Sequence, residues 1–176
     1  PLTARVPARA FNKEDKMSGF NLAETGHLVQ LWEPANHTAA ESTKVVNMGG
    51  YSHLTAIISY GATPAADGLI TVESCSDMTP TVHTEIAFDY YECIVDFEGA
   101  LGDVMSTKKS AATTGMVPTA TANIMYIIEL EASQLTSGHV GFRFSQANPT
   151  GDSIMSAVAI LSGARYKSPA SPTVIA

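Results

Sequence analysis

The chain has 176 residues, of which 45% are hydrophobic and 15% charged, and its formal net charge is −7. This length predicts one domain, and the apolar content is sufficient for a hydrophobic core. No run approaches the roughly 18 apolar residues of a membrane-spanning helix, and the first residues lack the apolar stretch of a secretory signal. We therefore expect a soluble protein made in the cytoplasm, with no membrane partner.

Charge is distributed unevenly along the chain. Residues 1–16 carry a net charge of +2, residues 165–176 another +2, and residues 17–164 a net charge of −11. An acidic body repels nucleic acid, whereas basic ends are attracted to an acidic partner. We expect no nucleic-acid ligand; the alternative for each end is ordinary solubilising charge.

Residues 1–26 are predicted to form an extended N-terminal arm. Their apolar residues are too widely spaced to fold alone and too numerous for a plain linker. One interpretation is a loose tail, and the other is a segment that becomes ordered along a neighbouring subunit. The candidate partner-binding residues of the arm are Arg5, Arg9, Phe11, Lys13, Met17, Phe20 and Leu22.

The first four predicted strands lie between residues 27 and 75. The first is predicted to end at Pro34, because proline cannot donate a hydrogen bond to a sheet. The third alternates strictly and turns Leu54, Ala56, Ile58 and Tyr60 to one face. The four strands are predicted at residues 27–33, 42–48, 53–60 and 69–75.

Residues 85–97 are rich in Phe, Tyr, Ile and Val. They are either one bent strand or two strands broken near residues 91–93. Residues 103–109 form a weak strand candidate, and residues 110–122, dominated by Ala and Thr, are predicted to be a long loop.

Residues 123–143 form the central unit of the predicted fold. A continuous apolar run at 124–131 predicts a strand covered on both faces. A compact turn follows, in which Leu135 can plug the end of a core. Alternation then turns Phe142 and Phe144 inward, so we expect a second strand and a hairpin-like core unit.

The last strand is predicted at residues 154–161, and residues 167–176 are predicted to be an extended tail. Eight to ten short strands with turns between them predict an all-β fold, a single antiparallel β-sandwich of jelly-roll type spanning residues 27–166. A closed barrel is the alternative. Candidate partner-binding residues of the tail are Arg165, Tyr166 and Lys167.

The sequence contains no recognisable catalytic or metal-binding arrangement. The block at residues 151–154 resembles the nucleophile block of one esterase family, but no histidine follows His139, so a plain turn is favoured. The five histidines have no metal-ligand spacing and are expected at surface or edge positions. We therefore expect no enzymatic activity and no cofactor. The histidines are His27, His37, His53, His83 and His139.

Cys75 and Cys93 lack the spacing of a redox or zinc motif. They are predicted to be free structural thiols, with one disulfide as the alternative.

An acidic cluster lies between residues 89 and 103 and is predicted to be a solvated sheet edge. Its members are Asp89, Glu92, Asp96, Glu98 and Asp103. Trp32 beside Tyr90 or Tyr91 on one exposed face would favour sugar stacking, whereas burial in the core is the alternative.

Several stretches resemble virion structural proteins of tailed bacteriophages. Residues 17–26, Met-Ser-Gly-Phe-Asn-Leu-Ala-Glu-Thr-Gly, resemble the opening of that group, and residues 159–166, Ala-Ile-Leu-Ser-Gly-Ala-Arg-Tyr, resemble its close. Residues 71–80 and 86–91 match the same pattern of a strand, a polar loop and an aromatic strand. The resemblance covers residues 17–166 and leaves residues 1–16 as an added arm.

The resemblance implies a head decoration or cement protein, located on the capsid surface of a virion assembled in the host cytoplasm. Such a protein would bind the major capsid protein and copies of itself as a homo-oligomer. Its arm would anchor apolar residues such as Phe11 and place Arg5, Arg9 and Lys13 against capsid carboxylates. The alternatives are a tail or head-completion protein and a carbohydrate-binding β-sandwich module on the virion.

Overall fold

The computed structural model describes residue 22 and residues 26–61, 68–94 and 104–164. These residues form eleven β-strands and one short 3-10 helix, Ala132–Gln134. The strands are β1 (His27–Asn36), β2 (Glu41–Ser42), β3 (Val46–Asn47), β4 (Tyr51–Tyr60), β5 (Ile70–Cys75), β6 (His83–Ile86), β7 (Phe88–Ile94), β8 (Lys109–Ala111), β9 (Ile124–Glu131), β10 (Gly141–Gln146) and β11 (Ile154–Ala164).

The strands form two antiparallel sheets that pack against each other. One sheet has six strands in the order β1-β11-β4-β9-β7-β8, and the other has the order β2-β10-β5-β6, with β3 also pairing with β10. The chain crosses repeatedly from one sheet to the other, which is the arrangement of a jelly roll. The predicted β-sandwich is confirmed, and the barrel alternative is wrong.

The core lies between the two sheets and follows the predicted alternation. Leu54, Ala56 and Ile58 of β4 are 0% exposed, and so are Phe142 and Phe144 of β10. Burying an apolar side chain of this size contributes about 1.5–3 kcal/mol, so these inward faces hold the sheets together.

The central unit differs from its prediction in two respects. Strands β9 and β10 lie in different sheets, so they do not form a hairpin; the 3-10 helix after β9 begins the crossing between sheets. Leu135 packs against the core beside this crossing, as predicted. In addition, β9 is buried on one face only, because its outward residues Met125, Ile127 and Glu129 are partly exposed.

Pro34 does not end the first strand, since β1 continues to Asn36. Strand β1 is an edge strand, and its register with β11 shifts between Gln30 and Trp32 and again between Trp32 and Ala35. An edge position with such irregularities tolerates a residue that has no N–H group.

Two further strand predictions change in detail. The predicted strand at residues 42–48 is two short strands, β2 and β3, which pair with different parts of β10. The segment from residue 85 breaks at Ala87 rather than near residues 91–93. Ile86 and Phe88 both pack into the core, but from opposite sheets, so the chain must cross between them.

The pairing of β3 with β10 requires a glycine. A Cβ atom added at Gly141 would lie 2.2 Å from the carbonyl oxygen of Val46. Only a residue without a side chain allows this close approach of two backbones.

Candidate interaction surface

The outward face of the six-stranded sheet carries a row of apolar side chains across four neighbouring strands. Tyr91 pairs with Ile127, Ile127 with Ile57, and Ile57 with Val158. Directly paired residues of an antiparallel sheet have Cβ atoms about 4.5–5.5 Å apart, so these side chains adjoin one another. All four remain partly exposed. We call them the apolar row.

The apolar row continues into three more outward apolar side chains. Met125 lies two residues before Ile127 on β9, and Ile160 lies two residues after Val158 on β11. Leu28 pairs with Ile160 and is 52% exposed. Contiguous exposed apolar surface marks sites of protein association. The apolar row and these three residues are called the apolar face below.

Carboxylates border the apolar face on one side. Asp89 of β7 pairs directly with Glu129 of β9, and like charges in this position repel each other. Asp89 accepts hydrogen bonds from Ser110 at 2.6 Å and Lys108 at 3.0 Å. The Ser110 bond and then the Lys108 ammonium lower the pKa of Asp89, so it stays charged.

His53 links the other two carboxylates of this border. Its Nε2 atom is 2.7 Å from Glu129 and its Nδ1 atom 2.9 Å from Glu131. Thr55 also donates a hydrogen bond to Glu129, at 2.8 Å. The border therefore combines three acidic side chains, Asp89, Glu129 and Glu131, with partners held in fixed positions beside the apolar row.

The outward face of the second sheet is polar. Arg143 donates to Glu73 at 2.7 Å, and Ser145 donates to the same carboxylate at 2.9 Å. Ser42 extends the network, with its hydroxyl 2.7 Å from that of Ser145. An open depression of about 500 Å³ lies over these residues. The two faces of the sandwich thus differ in polarity, and the apolar one is the candidate protein-binding surface.

The aromatic pair predicted for sugar stacking is not present on one face. Trp32 is 2% exposed and belongs to the core. Tyr90 packs against the core from β7, and Tyr91 points outward in the apolar row. The specific arrangement that would favour a carbohydrate-binding module is therefore absent from these three residues.

The esterase-like block at residues 151–154 lies at the end of the sandwich, where its polar groups contact neighbouring loops. Ser153 is 1% exposed, and its hydroxyl accepts a hydrogen bond from Gln146 at 2.9 Å. Asp152 accepts one from Asn36 at 2.7 Å. These contacts hold the β10–β11 connection against the end of β1.

His37 directly follows the edge strand β1 and is buried, although the histidines are expected at surface or edge positions. It is 6% exposed. Its Nδ1 atom is 2.7 Å from a carboxylate oxygen of Glu41, and its Nε2 atom is 3.0 Å from the carbonyl oxygen of Glu33. No cluster of three or more metal-ligating side chains occurs in the part of the chain that the structure describes.

Two members of the predicted acidic cluster can be placed, and three cannot. Asp89 lies on the outward face, but Glu92 is only 8% exposed, where it pairs with Lys109 and accepts a hydrogen bond from Thr119 at 3.1 Å. Glu92 is therefore an internal ion-pair partner rather than part of a solvated edge. Asp96, Glu98 and Asp103 lie outside the described residues.

Cys75 and Cys93 are free and buried, which confirms the prediction of structural thiols. Burial, as the largest influence, raises the pKa of the Cys75 thiol to about 11. Neither position offers the exposed thiolate that a reactive cysteine requires.

Most predicted arm and tail residues lie outside the described residues: Arg5, Arg9, Phe11, Lys13, Met17, Phe20, Arg165, Tyr166 and Lys167. Leu22 is described and is partly buried. Its carbonyl accepts a hydrogen bond from the Gly26 amide at 2.8 Å. A Cβ atom added at Gly26 would lie 2.8 Å from Leu22 Cδ1 and 3.2 Å from Ile160 Cγ2. Leu22 therefore lies beside the margin of the apolar face.

Sequence reasoning did not identify the apolar face. The sequence feature that could have indicated it is that isoleucines occur at consecutive positions, and so on both faces of the strand, in residues 53–60 and 124–131. On β9 this pattern predicts burial on both faces, whereas the structure leaves the outward isoleucine, Ile127, partly exposed.

The described residues define a jelly-roll β-sandwich with one apolar outer face. Among these residues, no helix is long and apolar enough to cross a membrane. No protein-family model matches the chain, and no curated protein matches it significantly. A solved structure, the SPBc2 prophage-derived protein YomS, is similar at 12% sequence identity and a TM-score of 0.41, over 77% of this chain and 91% of that chain. We infer neither fold nor function from a match of this size.

Proposed function

We propose that this chain is a non-enzymatic virion structural protein of a tailed bacteriophage, a decoration or cement protein that binds the major capsid protein and stabilises the head shell. The observation that carries the proposal is the apolar row, Tyr91, Ile127, Ile57 and Val158, which crosses four strands of a rigid sheet and remains partly exposed. The resemblance of residues 17–166 to virion structural proteins supports the same assignment.

A sheet face of this kind suits a structural role. Each square ångström of apolar surface removed from water contributes about 25 cal/mol, and a protein that binds only the assembled shell stabilises that shell by mass action. The acidic border formed by Asp89, Glu129 and Glu131 would also orient the protein on its partner, because it favours basic partner surfaces and disfavours acidic ones. Arg165, Tyr166 and Lys167 are proposed as further contacts to the capsid.

The test is binding of the purified protein to head shells assembled without it. Replacement of Ile127 by Glu places a charge in the apolar row, and we expect loss of shell binding. Val82→Glu is the matched control, because Val82 is 57% exposed and lies on the loop before β6, away from the apolar row. Ile127→Thr keeps the β-branched shape that suits a strand and tests whether weaker binding appears without loss of folding.

Binding is measured by co-sedimentation with the shells, and folding by circular dichroism. If a folded Ile127→Glu or Ile127→Thr protein binds shells as tightly as the Val82→Glu protein, the apolar row is not the binding surface and the proposal loses its support. Copies per particle are then counted by gel densitometry: a cement protein covers the shell in many copies, whereas a tail or head-completion protein is confined to a ring.

A further inference from the structure

Three buried polar atoms near one end of the core have no hydrogen-bond partner among the residues that the structure describes. They are the indole Nε1 of Trp32, the hydroxyl oxygen of Tyr60 and the carbonyl oxygen Oε1 of Gln146. The three residues are 2%, 3% and 2% exposed, so bulk solvent does not reach these atoms. Most buried polar atoms in folded proteins bond to protein or to an ordered water molecule, so each of the three requires an explanation.

Trp32 and Gln146 belong to one cluster, although they lie in opposite sheets. The ring centroid of Trp32 is 6.5 Å from that of His37. The backbone amide of His37 donates to the carbonyl of Ser153 at 3.0 Å, and the hydroxyl of Ser153 accepts from Nε2 of Gln146 at 2.9 Å. Glu41 gives a second connection, since it pairs with Gln146 on the neighbouring strand and its carboxylate lies 2.7 Å from Nδ1 of His37. These contacts hold both residues where the β10–β11 connection closes the sandwich.

The two unpaired atoms of this cluster are chemically complementary. The indole N–H of Trp32 can only donate a hydrogen bond, and the amide oxygen of Gln146 can only accept one. They are not bonded to each other, and the bond from Nε2 of Gln146 to Ser153 restrains the amide. A water molecule can accept from the first group and donate to the second, and buried waters in proteins typically make about two to four such bonds.

We propose that an internal water molecule bridges Nε1 of Trp32 and Oε1 of Gln146. It accepts a hydrogen bond from the indole and donates one to the amide oxygen, and it thereby links β1 of the six-stranded sheet to β10 of the other sheet. Both protein groups are uncharged, which suits water and does not compensate the lost hydration of an ion. The site lies between the sheets, so this inference is independent of the proposed function.

Nuclear magnetic resonance of the full-length chain tests the site through Trp32. Trp32 is the only tryptophan, so isotope-labelled protein gives a single indole N–H signal. We expect a cross-peak from this proton to water, with opposite signs in laboratory-frame and rotating-frame Overhauser spectra. That sign pattern indicates a bound water molecule, whereas chemical exchange of the proton with solvent gives the same sign in both.

Gln146→Met keeps the length of the side chain and removes the acceptor. We expect it to abolish the water cross-peak and to shift the indole proton upfield, because a water left with one protein partner is no longer held. Gln134→Met is the matched control, since Gln134 is exposed and lies in the 3-10 helix that follows β9. Tyr60→Phe removes the other unpaired hydroxyl, whose exchanging proton would resonate with water, and we expect it to leave the cross-peak in place.

A crystal structure of the parent chain decides the question even if the Gln146→Met protein does not fold. We expect an ordered water within hydrogen-bond distance of Nε1 of Trp32 and Oε1 of Gln146. A direct bond between these two atoms, or density for neither a water nor a bond, overturns the inference. So does a cross-peak that is missing in the parent, that persists in Gln146→Met, or that disappears in Gln134→Met or Tyr60→Phe.

Discussion

At the scale of single residues, His37 shows that burial and hydrogen bonding shift the pKa of a histidine in opposite directions. Its two ring nitrogens each face an oxygen, from Glu41 at 2.7 Å and from the Glu33 carbonyl at 3.0 Å. A neutral imidazole has one N–H group, so both contacts are hydrogen bonds only when the ring is protonated. Burial, the largest influence, lowers the pKa of His37, but the bonds to Glu41 and Glu33 together outweigh it and raise this pKa above its ordinary value of 6.5.

This raised pKa predicts a loss of stability with rising pH. The contribution of His37 to the free energy of unfolding is fully present below about pH 6.5 and is lost as pH rises through the folded-state pKa, because the folded protein holds the proton more tightly than the unfolded chain. Urea unfolding at a series of pH values measures it. We expect His37→Gln to remove this pH-dependent contribution to the free energy of unfolding. We expect Glu41→Gln to shift the loss of that contribution to lower pH. An unchanged pH profile in His37→Gln would contradict the assignment.

At the scale of paired strands, β5 and β10 are joined by a buried ion pair as well as by backbone hydrogen bonds. Glu73 is 6% exposed although it points to the outward face, because Arg143 and Ser145 of β10 cover it. The guanidinium donates a hydrogen bond to the Glu73 carboxylate through Nε, and its Nη2 atom forms an ion pair with the same carboxylate. A carboxylate buried in this way depends on its partner for compensation of lost hydration.

Removing one partner of this pair should cost more than removing both. We expect Arg143→Met to lower the free energy of unfolding by about 3–5 kcal/mol, since it leaves the charge of Glu73 buried and uncompensated. The double variant Arg143→Met/Glu73→Leu should recover much of that loss. Chemical denaturation of the two single variants and the double variant measures the coupling. If the double variant is as unstable as the sum of the single variants, the pair is not coupled.

At the scale of the whole molecule, the two sheets share one core and should unfold together. Trp32, the only tryptophan, lies in the six-stranded sheet, and Cys75 lies in the other. Both are buried, at 2% and 0% exposure. Each residue therefore reports the opening of a different sheet in a single cooperative transition.

We expect Trp32 fluorescence and labelling of Cys75 by a thiol reagent to give the same denaturant midpoint. A Cys93→Ala background restricts the label to Cys75. In the native protein labelling should be slow, because the Cys75 thiol is buried and its pKa is raised to about 11, which leaves little thiolate. Two separate midpoints would show that the sheets unfold independently.

The strands with strict alternation were the most predictable part of the molecule. In β4 the inward set Leu54, Ala56, Ile58 and Tyr60 follows directly from the side-chain period of two. Because only a small number of layer architectures can bury such faces, the arrangement of the other strands is then constrained as well. The prediction that Pro34 ends the first strand is wrong, because the rule against proline applies to central strands, and the sequence does not reveal that β1 is an edge strand with shifted register.

The amino-acid sequence by itself determined the all-β class, the inward faces of the alternating strands and the acidic body with basic ends, because each depends on local alternation, residue type or charge count. The structure decided between a sandwich and a barrel, and between free thiols and a disulfide. The arm and tail residues remain predictions, since all but Leu22 lie outside the described residues. Only the tertiary structure decided that Tyr91, Ile127, Ile57 and Val158 form one row and that His37 is buried. These features depend on pairing between strands distant in sequence, and local patterns do not encode which strands become neighbours.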